Sequence, residues 1–370
     1  MKKIIIALII ASIAITGCSK PSEPAETEET VDLEEQERLK KEEEEKRLAA
    51  EKAEEEAKRL AEEEAKRKEL ENAPKSPLSG LPVDPEVLEN RVMAVMIDNH
   101  QLARPQSGIS KAEIVYEYEV ESDITRYLAL FLANDVEDIG PIRSLRPYYI
   151  NTVMEYDAVI TRYGGSDDAD YEVAELGIDQ IDGMALSGNY IWRDNSKGKV
   201  APHNAYSSTS AIKEAITNMG YHSGPAVGVF EYNLEDAQLT GTDAKRVYLG
   251  FSSSGAAEFN YDEATKEYKR NVGGVPHVDE IDGAQVTAKN IIVQLVNMGY
   301  YANGVHRTVD NVGEGTGYYI TNGVSTEITW KKDSREAKTQ FLDADGNPIK
   351  LNPGHTWVEV FNLTKELIIE

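Results

Sequence analysis

The chain has 370 residues, 41% of them hydrophobic, a formal net charge of −26 and one cysteine. Its length and apolar share allow two or three domains with real cores. Most of the negative charge falls in residues 74–370, which repels nucleic-acid phosphate and excludes nucleic acid as a partner; a lone thiol excludes an internal disulfide.

Lys2 and Lys3 precede an almost wholly apolar run, Ile4 to Ile15, which leads into Thr16-Gly17-Cys18. A charged start, a short apolar run and small residues before a cut site describe a secretory signal over residues 1–18. The run is shorter than the ~20 residues a membrane-spanning helix needs. Ile-Thr-Gly-Cys resembles the lipobox of bacterial lipoproteins, which implies a diacylglyceryl group on Cys18 and a durable anchor to the membrane. An ordinary secreted protein with a chance cysteine is the alternative.

Residues 19–31 read as a polar, proline-bearing spacer. From Leu33 to Asn72 the chain is Glu, Lys, Arg, Ala and Leu without Gly or Pro, with Glu-first i,i+4 pairs such as Glu42–Lys46, Glu54–Lys58 and Glu62–Lys66. Leu33, Leu39, Leu48, Leu60 and Leu70 keep no strict heptad. That pattern favours a free-standing, salt-bridged helix over a coiled coil, with a disordered charged linker as the bland alternative. Residues 19–73 are thus a tether, stopped by Pro74.

The folded body follows, expected as an N-terminal αβ domain over 74–225 and a smaller β-rich domain over 226–370. Arg91–Asp98 is a buried-strand pattern that ends in Asp98-Asn99-His100. Polar residues just past such a strand line a cleft at the sheet edge. In Ile114–Glu121 the residues Glu117, Glu119 and Glu121 share one face by the period of two. Three carboxylates in a row repel unless cations sit opposite, and Arg126, Arg143 and Arg146 are the candidates. Thr125–Leu132 is apolar on both faces and reads as a central strand. Helices are expected from Pro147 to Tyr156, over Asp167–Leu176 and from Ser208 or Thr209 to Met219, with a strand over Ala158–Tyr163. Gly164-Gly165-Ser166, between strand and helix, can leave backbone N–H groups free for an anion or can be a plain cap. Past residue 245 strands dominate: Lys289–Asn297, Gly317–Asn322, Ser325–Lys331 and Thr356–Phe361. Asp343–Asn347 starts like a calcium loop but lacks the later Glu, so it reads as a hairpin turn.

The runs Ala103-Arg104-Pro105-Gln106-Ser107-Gly108, Ile124-Thr125-Arg126, Ile139-Gly140-Pro141-Ile142-Arg143-Ser144, Arg146-Pro147-Tyr148, Gly164-Gly165-Ser166 and Ala201-Pro202-His203-Asn204 resemble the YerB-like bacterial lipoproteins. The resemblance extends from about Leu78 to Leu363. It implies an envelope lipoprotein with a two-part domain of unknown function and no known cofactor. Ser122-Asp123 stand where that pattern often has glycines.

The fold expected is therefore a mixed body of α+β or α/β class behind a long charged helix. The function expected is a binding or scaffold module on the extracytoplasmic face. Its cleft is drawn from Asn99, Arg104, Arg126, Arg143, Ser144, Arg146, Gly164, Gly165, Ser166, His203 and Asn204, and takes an anionic envelope ligand such as wall fragments, or an envelope protein. The alternative is a glycan-cleaving enzyme with Asp98, Glu117 or Glu121 as acid and base. A metal set of Asp98, His100 and His203 is conceivable from the residue types, but no metal-binding motif supports it, and no cofactor is expected.

Overall fold

The computed structural model describes residues 28–121, 124–186, 188–252, 255–302 and 304–370, and the side chains from Glu35 onward. Residues 1–18 with Cys18, the spacer up to residue 27, and Ser122-Asp123 lie outside the described residues. Among those described, no helix is long and apolar enough to cross a membrane.

Helix α1 spans Glu28–Asn72, 45 residues, about 67 Å at 1.5 Å per residue. Leu39, Leu48 and Leu60 are exposed. Glu35–Arg38, Glu56–Arg59, Arg59–Glu63 and Glu64–Lys68 form ion pairs along it. All of these side chains are more than half exposed, so each pair contributes at most a few tenths of a kcal/mol. Arg59 lies between Glu56 and Glu63.

The unit from Glu69 to Glu370 is α+β. Its main elements are β1 (Met93–Asp98), β2 (Ile114–Glu119), β3 (Thr125–Phe131), α2 (Pro147–Glu155), β4 (Val159–Arg162), α3 (Asp167–Leu176), β5 (Gln180–Asp182), α4 (Thr209–Asn218), β6 (Arg246–Leu249), β7 (Ala257–Asp262), β8 (Glu267–Val272), β9 (Asn290–Val296), β10 (Gly313–Thr321), β11 (Val324–Lys332), β12 (Gln340–Leu342), β13 (Thr356–Asn362) and β14 (Leu367–Ile369). Ser166 and Ser208 cap α3 and α4 by accepting the Ala169 and Ala211 N–H groups, which satisfies donors the helix leaves open. Asp167, Asp168 and Asp170 in the first turn of α3 suit its dipole.

One large mixed sheet runs in the order β12-β11-β10-β9-β13-β2-β3-β1-β4-β5. β13 lies parallel to both β2 and β9, so residue 225 marks no break in this sheet: the strand-rich C-terminal part supplies half of its main path. Every residue of β1, β2, β3 and β13 is buried, because both faces are covered. On one face Met96, Tyr116, Leu128 and Val358 pack beneath Tyr149 and Val153 of α2 and Val173 of α3. On the other, Ile97, Val115, Tyr127 and Trp357 meet Val247, Phe259 and Tyr268 of a second, antiparallel sheet built on β6, β7, β8 and β14, with Ile212 of α4.

That second interface holds a buried charge. Glu117 of β2 and Arg270 of β8 are both 0% exposed and ion-paired. Glu359 of β13 stands beside Glu117 in register. Removing one member of a buried pair leaves an uncompensated charge and costs about 3–5 kcal/mol. Arg270→Met should therefore lower the unfolding free energy by about that much in urea titration; a loss below about 1 kcal/mol would show that the pair does not hold the sheets together.

Candidate functional site

β1 reads Met-Ala-Val-Met-Ile-Asp: the apolar run fixes a central position, and the polar residues follow where the strand leaves the sheet. Asp98 is opposite Arg126 on β3 and only 2% exposed. Its Oδ1 accepts the His100 N–H at 3.0 Å. Its Oδ2 accepts Arg143 Nε at 3.2 Å and lies 2.7 Å from His203 Nδ1. Burial raises the Asp98 pKa, but Arg126, the His100 N–H, His203 and Arg143 outweigh it and hold the carboxyl below its ordinary value.

Around this carboxylate the guanidinium groups gather. Arg126 and Arg146 both pair with Glu121, Arg126 at 3.2 Å. They also donate to main-chain carbonyls, Arg126 to Ser144 and Arg146 to Leu145. Arg143 is 28% exposed in its side chain; its Nε is engaged by Asp98, and among the described residues its two terminal nitrogens have no partner. Arg104 donates twice to Asn99, through Nε to Oδ1 and Nη2 to the carbonyl, both at 2.9 Å. His203 stacks on His100, with ring centroids 4.6 Å apart. Arg193 donates to Asn204 Oδ1 at 2.7 Å and lies 4.2 Å over the Tyr163 ring. A small hollow of ≈110 Å³ opens beside this cluster, walled by Asn99, His100, Arg104, Ile124 and Thr125.

Asp98, Asn99, Arg104, Arg126, Arg143, Arg146, Glu121 and His203 thus come together, while several other residues expected in the cleft take different roles. Glu117 faces the second sheet, sealed with Arg270, and is no acid or base for a cleft ligand. Gly164 donates its N–H to Asp182 Oδ1 at 2.8 Å and Ser166 its N–H to the Leu145 carbonyl at 3.3 Å. The Gly164-Gly165-Ser166 turn is therefore a helix cap and not an anion nest. Ser144 ties the turn to the Tyr163 carbonyl through Oγ at 3.1 Å. Asn204, 1% exposed, joins Arg193 to Asn195 and orders the loop rather than facing a ligand. No three metal-binding side chains converge among the described residues, and His203 Nδ1 is already taken by Asp98.

The expected cations are reassigned as well. Of the three for the β2 carboxylates, Arg143 belongs to Asp98. Glu119 pairs with Arg307 at 2.9 Å and Lys365 at 3.0 Å instead, and Glu117 with Arg270. The inward alternation of Tyr268, Arg270 and Val272 along β8 is the sequence signal that could have found the last. A larger hollow of ≈380 Å³ elsewhere contains Arg91, whose guanidinium is consumed by Asp157 and Asp179.

Fold and site define an α+β body in which arginines gather around two carboxylates past the end of β1. Residues 78–222 match the N-terminal domain, and residues 247–358 the C-terminal domain, of the family described as protein of unknown function (DUF3048). The chain belongs to this two-part, YerB-like family. It is 32% identical over 279 residues to the putative lipoprotein YerB of Bacillus subtilis (strain 168), covering 74% of this chain and 82% of that protein. The crystal structure of the B. subtilis YerB protein superposes with a TM-score of 0.71 at 29% identity, over 80% of this chain and 99% of that one.

The lowered Asp98 pKa carries a stability consequence. Asp98 binds its proton less readily folded than unfolded, so its stabilisation is complete above the unfolded value of ~3.9 and is lost as pH falls through the folded value. Asp98→Asn should flatten the acid limb of the stability–pH curve measured by denaturant titration. Parallel curves for the two proteins would contradict the ion cluster.

Proposed function

We propose that the chain is a lipoprotein of the bacterial envelope, anchored through Cys18 on the extracytoplasmic face, whose body binds an anionic envelope ligand such as a wall fragment. Residues 1–18 serve as the export signal and 19–73 as the tether. Residues 74–225 and 226–370 form the two parts of the body. Three observations support the anchor: the charged and apolar start, Cys18 at a lipobox-like position, and the name of the B. subtilis relative.

One observation carries the binding reading. In a body of strongly negative charge, Arg126, Arg143 and Arg146 pair with two carboxylates, Asp98 and Glu121, Arg104 stands beside them on Asn99, and among the described residues the terminal nitrogens of Arg143 have no partner. Such a local positive surplus attracts anions despite the overall charge, and a planar guanidinium fork matches carboxylate or phosphate oxygens. Glu117 is sealed against Arg270, which leaves the alternative glycan-cleaving reading with Asp98 and Glu121, both tied to arginines.

A charge-assisted hydrogen bond is worth about 1.5–3 kcal/mol. Arg143→Ala should therefore weaken co-sedimentation with purified cell-wall fragments by about 10- to 100-fold, and unchanged binding would refute the role of the cleft. Cys18→Ser should release the protein from the membrane fraction into the soluble one; retention in the membrane would refute the lipid anchor.

A further inference from the structure

The cleft contains a proton-transfer pair that anion binding alone leaves unused. An ionised carboxylate can only accept, so the 2.7 Å contact between Asp98 and His203 places the imidazole hydrogen on Nδ1. In the neutral ring the lone pair then sits on Nε2, which makes no hydrogen bond among the described residues and is not a buried, unpartnered atom. The carboxylate that orients the ring is 2% exposed and is kept ionised by its cationic surroundings. The His100 ring lies against His203 at an interplanar angle of 16° and fixes its plane. Arg143 Nε reaches the same Asp98 Oδ2 at 3.2 Å, so a guanidinium and an imidazole meet at one oxygen, each with its outer nitrogens uncommitted among the described residues. A buried acid that orients a histidine with a free outer nitrogen is the arrangement of a general base.

We propose that Asp98 and His203 form a general-base dyad that activates water to hydrolyse an acyl ester carried by the ligand of this cleft, with Arg143 receiving the developing oxyanion. The inference rests on the anion-binding reading above and extends it from binding to turnover. His203 Nε2 takes a proton from water as the water oxygen bonds to the acyl carbon, and the carbonyl pair moves onto oxygen beside the Arg143 guanidinium. Collapse of the tetrahedral intermediate breaks the bond to the alkoxide, which takes the proton back from Nε2. The products are a carboxylic acid and an alcohol, and water is the only co-reactant.

An ester suits the site better than a phosphodiester or a glycoside. A single imidazole can serve as base and then as acid on one side of a carbonyl, as in acyl transfer. In-line displacement at phosphorus sets nucleophile and leaving group on opposite sides and calls for a second proton donor. His100 does not supply one: burial and then His203 push its pKa down, and its Nδ1 already accepts the Leu102 N–H at 3.2 Å. A glycoside commonly calls for two carboxyl groups flanking the bond, and Asp98 and Glu121 are both tied to arginines.

The test measures hydrolysis of p-nitrophenyl acetate and co-sedimentation with cell-wall fragments on the same full-length preparations of wild type and His203→Gln, each checked for folding by circular dichroism. Wild type should hydrolyse the ester saturably and co-sediment with the wall fragments, and His203→Gln should lower kcat/KM for the ester by about 10²–10⁴. Diethyl pyrocarbonate, which acylates a free imidazole nitrogen, should label His203 in wild type and abolish turnover. Equal hydrolysis by wild type and His203→Gln overturns the dyad. If wall binding persists in that case, only this inference falls; if neither protein binds the wall, the binding reading falls with it.

Discussion

Arg270 lies without solvent contact between the two sheets, and three aromatic faces surround its guanidinium: Trp357 at 4.3 Å, Tyr127 at 5.4 Å and Phe259 at 5.5 Å. A cation in such a place survives only if its charge is matched. Glu117 supplies the match from β2, and Glu359 stands next to Glu117 on the neighbouring strand. Burial and then the adjacent Glu117 push the Glu359 pKa well up, which favours its protonated form. Arg270 and Glu117 thus form an ion pair between the sheets that is closed to water.

The same ion pair reaches the cleft through neutral groups. Burial and then Arg270 drive His277 far below its ordinary pKa, so its ring is neutral and accepts from Arg270 Nη1 at Nδ1, 2.8 Å away. Its other nitrogen therefore carries the hydrogen and donates to Gln106 Oε1 at 2.9 Å. Gln106 in turn donates to the Asp98 carbonyl at 2.9 Å and to Asn99 Oδ1 at 3.1 Å. On the other side Asn99 donates to Thr125 at 2.7 Å and to Glu117 at 3.3 Å. The turn that carries Asp98 and Asn99 is consequently fastened to the buried charge, and the open arginine fork and histidine stand on a rigid base. These hydrogen bonds fix the side-chain amides of Asn99 and Gln106 in one arrangement, while Arg270 Nε and both Glu359 oxygens make no hydrogen bond among the described residues.

Much of this was legible in the residues, within limits set by distance along the chain. The apolar run of β1 ending in Asp98-Asn99-His100 announced a cleft at a strand end, and that is where the arginines gather. The alternation of Glu117, Glu119 and Glu121 announced a need for cations. It could not say which: Arg126 and Arg146 are close in sequence and were found, whereas Arg270, Arg307 and Lys365 arrive from strands and turns more than 150 residues away. Gly164-Gly165-Ser166 permitted either an anion nest or a cap, and the choice was made by Asp182, whose position depends on β5 pairing with β4. The parallel contact of β13 with β2, which carries one sheet across the whole body, likewise has no local signature.

The protonation of the Glu117–Glu359 pair is the most direct test of this account. Infrared difference spectra of the wild-type protein against Glu359→Gln, recorded at neutral pH in light and heavy water, report a neutral carboxyl group by its C=O stretch. A carboxylic-acid band that is present in wild type, shifts in heavy water and vanishes in Glu359→Gln is the predicted result. A wild-type spectrum showing only ionised carboxylates would contradict the claim that a single shared charge, matched to Arg270, holds the sheets and the cleft in place.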